Sequence, residues 1–312
     1  MSTFNQQNIA IIGATGQVGT PLTRALLKLG HQVTVITRSL TKESEKLTEY
    51  AQNGAKIVPV ADLSDKESIA QAIQGADALV CAVPGDKTII TQFQPIWLEA
   101  ALEAKVKRFV PTEFGAHTMG LDYGSGVIFD TKKDFQQKLF ESGIGWTIIY
   151  TGVIFDYALP NLRFFRNITT FGDLALPIYT HEIQDIGVIT ALVVVDERTL
   201  NHCVQLDFNA LSQTEMLDLL TKHHADHPFE YEHFSSEFIT QQRLTASDAV
   251  TAKKGAETDR ERWGINYVIY VIGKLANFTG ETLKASELYP EFQVSKTPEQ
   301  AISDPAFVFE EQ

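Results

Sequence analysis

Cysteine is scarce in this chain of 312 residues: only Cys81 and Cys203 occur, too few for a disulfide framework. One ends a strand-like run and the other begins one, so both read as buried thiols in a reducing compartment. Positive charge is short as well, with 26 lysines and arginines against 39 acids and a formal net charge of −13. Nucleic acid and anionic membrane surfaces select basic partners, so this balance argues against both. No run of about 18 apolar residues is present to cross a bilayer. The opening MSTFNQQ has neither the basic region nor the apolar stretch of an export signal. The expectation is a cytoplasmic protein that handles small molecules, in which the sequons at Asn167 and Asn277 carry no glycan. Internal repeats and low-complexity tracts are missing too.

What the chain does have is cadence. NIAIIG, QVTVIT, KIVPV, ALVCAV and RFVPT are short β-branched runs. Between them lie helical patterns starting near Thr20, Lys42, Lys66 and Pro95. Such alternation predicts an α/β fold, a doubly wound parallel sheet with crossover helices of the Rossmann type. Pro95 suits the first turn of its helix, where its missing N–H costs nothing. After WTIIYTGV the chain becomes aromatic and is broken by Pro160, Gly172 and Pro177, which reads as a second, smaller lobe. EIQDIGVITALVVVD and HCVQLD then read as a helix and a strand rejoining the first domain. From about Leu211 helical patterns dominate, among them LSQTEMLDLLTKHH and WGINYVIYVIGKLANF. The expected division is a nucleotide-binding domain over 1–158, with 182–208 returning to it. A smaller, mainly helical substrate lobe takes 159–181 and 209–312.

The stretch GATGQVG places glycines at 13, 16 and 19, after a buried strand and at the mouth of a helix. There the first-turn N–H groups and the helix dipole face an anion, so a dinucleotide pyrophosphate is the expected ligand. Gly13 permits the tight turn, Gly16 the close approach of phosphate, and Gly19 the packing of helix on sheet. An NAD-selective site wants an acid about 20 residues further on, for the ribose hydroxyls. This chain offers Arg38 instead, with Ser39 and Lys42 nearby. A guanidinium pairs with a 2′-phosphate, so NADP(H) is favoured. The other reading of Arg38, a solvated charge at a strand end, suits a lone arginine but fits this offset less well.

GATGQVG, VKRFVPTEFG, the lysine pair in FDTKKDFQQKLFESGIGWT, DIG and RTLN followed by LSQTE occur in one order. Together they resemble the isoflavone reductase-like family of the NmrA-like, atypical short-chain dehydrogenases. Its members include phenylcoumaran benzylic ether and pinoresinol–lariciresinol reductases, and the likeness spans about residues 8 to 215. The resemblance implies a diphosphate loop of Gly13, Thr15, Gly16, Gln17, Val18 and Gly19, with Arg38 on the 2′-phosphate. It places Asp62 near the adenine, a residue otherwise read as a helix-capping acid. Ala82, Val83 and Pro84 would run along the cofactor. Thr112, Glu113 and Phe114 would flank the nicotinamide, or merely form the turn that leaves a buried strand. It further implies a monomer or a homodimer.

Ordinary short-chain dehydrogenases pair a tyrosine with a lysine four residues later. Here Ile128 precedes Lys132 and Phe129 precedes Lys133 at that spacing, so the pair is absent. In the resembled family a lone lysine takes the acid–base role, and the alignment of GIGWT puts Lys132 there. An apolar pocket and neighbouring positive charge would move such an amine toward neutrality; from the residues alone Lys132 is an ordinary helix-start lysine. Hydride would pass to an enone, quinone methide, benzylic ether or carbonyl of a small aromatic substrate, with Lys132 at the oxygen that gains charge. Tyr150, Thr151 and Phe155, just after a strand end, are candidates beside the nicotinamide. Phe164, Phe165 and Phe171 are candidates for an aromatic slot, though core packing is the default reading of a phenylalanine. His117 and Tyr123 lie in GAHTMGLDYGSG, a possible mobile cover. HHADH, with His223, His224, Asp226 and His227, reads as a polar loop rather than a metal site. Gly145 stands where the family carries proline. The alternative function is a dinucleotide-binding redox sensor that contacts partner proteins without catalysis.

Overall fold

The computed structural model describes residues 5–163, 166–248, 258–276 and 281–310. Phe164, Phe165 and Asn277 lie outside the described residues. The chain divides into two compact units, the first comprising 1–113, 131–149 and 183–204, the second 114–130, 150–182 and 205–312. Residues 114–130, 150–158, 182 and 205–208, expected with the nucleotide-binding portion, thus group with the second unit.

In the first unit the β-branched runs form β1 (Asn8–Ile12), β2 (Gln32–Thr37), β3 (Lys56–Pro59), β4 (Ala78–Cys81), β5 (Arg108–Val110) and β6 (Gly145–Tyr150). Between them come α1 (Gly19–Lys28), α2 (Ser44–Gln52), α3 (Lys66–Ala72), α4 (Gln94–Glu103) and α5 (Val127–Glu141), the last contributing its residues from 131 onward. The strands lie side by side in the order β6-β5-β4-β1-β2-β3, every adjacent pair parallel. Ile9 to Ile12 of β1 are buried, as helices on both faces of a parallel sheet require. β1 pairs with β2 on one side (Ile9↔Val33) and β4 on the other (Ile9↔Ala78). Strand order reverses there, so a crevice opens beyond the carboxyl ends of β1 and β4.

The returning segment forms the helix Ile183–Val195 and the strand His202–Gln205. The helix lies so close to α1 that a Cβ on Gly187 would collide with Pro21. Its carboxyl end is held by buried Arg108 of β5. That guanidinium donates to the carbonyls of Val193 (3.1 Å), Val194 (2.6 Å) and Asp196 (2.9 Å) and to Thr199 Oγ1 (3.2 Å). Cys81 and Cys203 are both buried.

The second unit carries helices and, beyond the mainly helical lobe expected, two small sheets. One runs Ala210–Ser212, Pro177–His181, Val153–Ile154; the other pairs Tyr231–Phe234 with Ile168–Phe171. The helices Gln213–His223 and Asp259–Tyr270 each start in a reciprocal capping box, Ser212 with Glu215 and Thr258 with Glu261. Phe171 stacks on Phe234 (5.7 Å) and Tyr270 (5.2 Å), and Trp263 meets Phe234 edge-on, so Phe171 is a packing residue of this unit. In HHADH, His223 pairs with Glu299 at 3.0 Å and His224 meets the Ile302 carbonyl at 2.6 Å. His227 packs on Phe229 and Phe309. The motif fastens the carboxyl-terminal helices to the helix Gln213–His223. Among the described residues no helix is long and apolar enough to cross a membrane.

Candidate active site

The glycine loop between β1 and α1 is built by exclusion. Gly13 has φ +90°, and a Cβ there would collide with the Ala82 carbonyl and approach Val83 Cγ1 to 2.7 Å. The N–H of Gly16 donates to the Gly13 carbonyl at 2.9 Å. Gly19 is required for a different reason from the one expected: its Cβ would collide with Gly13 O, inside the loop itself rather than against the sheet. The N-cap of α1, Val18, makes no side-chain cap bond, and the helix has no acid in its first turn. Its amino-terminal N–H groups therefore lack the side-chain acceptor most helices carry, which suits an anionic ligand. Gly16 and Gln17 are exposed, Thr15 and Val18 half-buried.

Two residues of α2 brace this loop, and the sequence reading missed both. Tyr50, fully buried, donates from its hydroxyl to the Ala14 carbonyl at 3.1 Å. Lys46 donates to the Thr15 carbonyl at 2.9 Å while pairing with Glu43 at 3.1 Å. Only helical periodicity marks α2 in the sequence, and periodicity gives no sign that its first turns reach a loop some 30 residues back. Arg38 is exposed just beyond β2, and Lys42 is exposed nearby. Ser39 Oγ accepts the backbone N–H groups of Thr41 (3.2 Å) and Lys42 (3.3 Å), and so shapes the turn that carries them. Asp62 is exposed and accepts from Ser64 N–H at 2.8 Å and Ser64 Oγ at 2.6 Å; these bonds hold its carboxyl below the usual range. It caps no helix: the N-cap of α3 is Asp65, which accepts Ser68 N–H at 3.1 Å.

Past β4 and β5 the chain forms a tight polar knot. Ala82 is buried, Val83 half-buried and Pro84 exposed. Thr112 Oγ1 donates to the Val83 carbonyl, and Thr112 N–H donates to Gln94 Oε1 at 2.6 Å. Gln94 follows a π-helical turn, Ile89–Phe93, that leads into α4. Glu113 accepts from Gln136 Nε2 at 2.7 Å, and its carbonyl accepts from Lys132 Nζ at 2.7 Å. Its carboxylate stands 3.5 Å from that ammonium, with the two side chains only 10% (lysine) and 2% (glutamate) exposed. Lys132 and Gln136 share one face of α5 at i, i+4, which is why both reach Glu113. Gly85 closes the other side, where a Cβ would lie 3.3 Å from Lys132 Cε. Lys132 is therefore not a solvated helix-start lysine, and the charge beside it is negative rather than the positive neighbour the sequence reading invoked.

The remaining candidates belong to the second unit. Phe114 opens it with φ +35°. Tyr150 is fully buried; its hydroxyl accepts Met119 N–H at 3.5 Å, and the His117 ring meets it edge-on at 4.9 Å. The Thr151 hydroxyl donates to Gly152 O, and the Thr151 carbonyl faces His181 Nδ1 at 2.8 Å. His181 Nε2 accepts Phe208 N–H at 3.2 Å, which assigns the ring proton to Nδ1. Burial pushes both His181 and His117 down to about 4, with Lys274 adding to the effect on His117. Phe155 is buried at the start of a short helix, Phe155–Ala158. In the loop expected as a cover, Tyr123 is exposed while Gly124 is tied at both backbone atoms, to the Asp130 carboxylate and to Arg243 Nη1.

A family model described as the NmrA-like family matches residues 5–296. The chain is 26% identical to the bifunctional pinoresinol-lariciresinol reductase of Thuja plicata, over 90% of this chain and 93% of that protein. It is 27% identical to an isoflavone reductase homolog of Lupinus albus, over 94% and 97%. Among solved structures it resembles those of the pinoresinol-lariciresinol and phenylcoumaran benzylic ether reductases. There the TM-score is 0.81 at 22% identity, covering 96% of this chain and 99% of the other. Against the leucoanthocyanidin reductase–NADPH complex of Vitis vinifera the TM-score is 0.77 at 23% identity, with 95% and 98% covered. The fold is thus the Rossmann-like one of these reductases.

Proposed function

The chain belongs to the NmrA-like family, and from that premise we propose that it is an NADPH-dependent reductase of small aromatic or conjugated electrophiles, with Lys132 as its general acid/base. The curated relatives named above are reductases, and one structural neighbour is an NADPH complex. The residues present fit such a dinucleotide. A side chain at Gly13 or Gly19 would fill the loop, α1 starts without a side-chain cap, and Arg38, Lys42 and Lys46 supply cations. The loop would hold the pyrophosphate, and Arg38 with Lys46 the additional phosphate that distinguishes NADPH. When bound, the nicotinamide supplies hydride.

The observation that carries the reading is the buried amine of Lys132, held at the exits of β4 and β5 beside Gly85 and Glu113. As an enone, quinone methide, benzylic ether or carbonyl is reduced, its oxygen gains negative charge. An ammonium placed there stabilises that charge and gives it a proton. Thr112 and Glu113 would shape the nicotinamide end of the site, and Ala82 to Pro84 its flank.

The test is loss of NADPH absorbance with a panel of lignans, isoflavones, aryl enones and quinones. Lys132→Ala is expected to lower kcat by at least about a hundredfold while retaining calorimetric uptake of NADPH. Undiminished turnover in this variant would remove Lys132 from the chemistry. No turnover across the panel, with equal affinity for oxidised and reduced cofactor, would instead point to a redox sensor.

A further inference from the structure

Lys132 has a built counter-charge that neither the glycine loop nor the substrate end of the site accounts for. We infer that Glu113, aimed by Gln136, is the positioning residue that fixes the Lys132 amine through a carbonyl hydrogen bond and a counter-charge; this rests on the reading of Lys132 as acid/base. Three observations carry it. Glu113 offers the amine two oxygens, its main-chain carbonyl at 2.7 Å and its carboxylate at 3.5 Å. The carboxylate is itself fixed, because Gln136 Nε2 donates to its other oxygen at 2.7 Å from one turn along α5. The carbonyl is fixed too, because the preceding residue, Thr112, is pinned through its N–H by Gln94 and through its hydroxyl by the Val83 carbonyl. Two buried glutamines from different helices therefore hold one dipeptide, and that dipeptide holds the lysine.

A carboxylate 98% removed from solvent is costly unless paired and hydrogen-bonded, and Glu113 has both kinds of partner. Packing alone would be met more simply by an apolar side chain. The carbonyl and the carboxylate together aim the ammonium, the group a reductase needs in place at the moment hydride adds. In that step an N–H bond of Lys132 breaks and an O–H bond forms on the substrate oxygen, leaving a neutral amine beside an unchanged carboxylate. Glu113 exchanges no proton; it sets where the ammonium points.

The test reads the amine directly and needs no substrate. The full chain, with and without NADPH, is treated briefly with acetic anhydride over a range of pH. Acetylation of Lys132 is quantified by mass spectrometry against exposed Lys105 in the same molecules. Only the neutral amine reacts, so Glu113→Gln is expected to raise Lys132 labelling about tenfold near neutral pH. The excess should vanish at alkaline pH, where the amine is neutral in both proteins. Glu113→Asp should fall between them, a partial rescue by charge. Labelling unchanged in Glu113→Gln overturns the assignment. So does a rise that persists equally at every pH, because it reports loosened packing rather than a lost counter-charge. Should Glu113→Gln not fold, Gln136→Leu carries the test, with a pH-dependent rise of about threefold expected and an unaltered profile overturning it. Full turnover in Lys132→Ala would sink the functional reading and leave the labelling result standing, so the two failures are distinguishable.

Discussion

Lys46 shows how a residue without any motif acquires a place in a site. Its amine crosses from α2 to the Thr15 carbonyl, so it presents positive charge at the glycine loop while stitching that loop to the next helix. Lys46→Ala is expected to weaken NADPH binding about tenfold by calorimetry, and Arg38→Glu should weaken NADPH far more than NADH. Equal losses for the two cofactors in Arg38→Glu would remove Arg38 from the 2′-phosphate. Gly85→Ala is the matching change at the other end: a methyl group 3.3 Å from Lys132 Cε displaces the amine, so kcat should fall with little change in NADPH affinity. At this scale the sequence was informative only where geometry is forced. Gly13 was readable because the loop excludes a side chain there. The choice between Lys132 and Lys133 came only from the resemblance, since neighbours on a helix point about 100° apart and spacing does not say which face is buried. The carboxylate opposite Lys132 was equally hidden: Glu113 was named as a flank of the nicotinamide, and nothing in a linear spacing of 19 residues says that a lysine folds back onto it.

The elements themselves were largely legible, because β1, β2, β4 and β5 are apolar runs buried on both sides and α1 to α4 repeat their buried positions at helical period. The small pairings of the second unit escaped, since strands of two to four residues such as Val153–Ile154 and Ile168–Phe171 leave no usable alternation. The π-helical turn before Gln94 also has no sequence signature. Two stability predictions belong here. Arg108→Met removes a donor set that satisfies three carbonyls at the end of the helix Ile183–Val195, and should cost more than about 3 kcal/mol in denaturant unfolding. A loss under about 1 kcal/mol would mean water takes over those carbonyls. Gly19→Ala, by contrast, pushes α1 off the Gly13 carbonyl; it should abolish calorimetric uptake of dinucleotide even in protein that still unfolds cooperatively.

For the molecule as a whole, pH is the sharpest handle. His181 is held neutral in the fold, down to about 4, whereas in the unfolded chain it titrates near 6.5. Below about pH 6.5 the unfolded state takes up a proton that the native state refuses, so stability is complete above that value and falls as pH drops toward 4. The loss from His181 alone should reach about 2 kcal/mol between about pH 7 and about pH 5, and His117 acts in the same direction. A flat unfolding midpoint across that window would contradict the neutral, doubly bonded imidazole. The chain's partition was harder to foresee than its fold, because composition marks where texture changes and not which stretches pack together. It passes between units after residues 113, 130, 149, 182 and 204. The helix that seats on α1 through Gly187 is therefore made long after α1 itself. During synthesis at about 5–20 residues per second, the first unit must wait many seconds on the ribosome without the helix that packs on α1. Ribosome-bound chains halted before residue 183 should be open to protease and recruit chaperones, and those released past residue 204 should not.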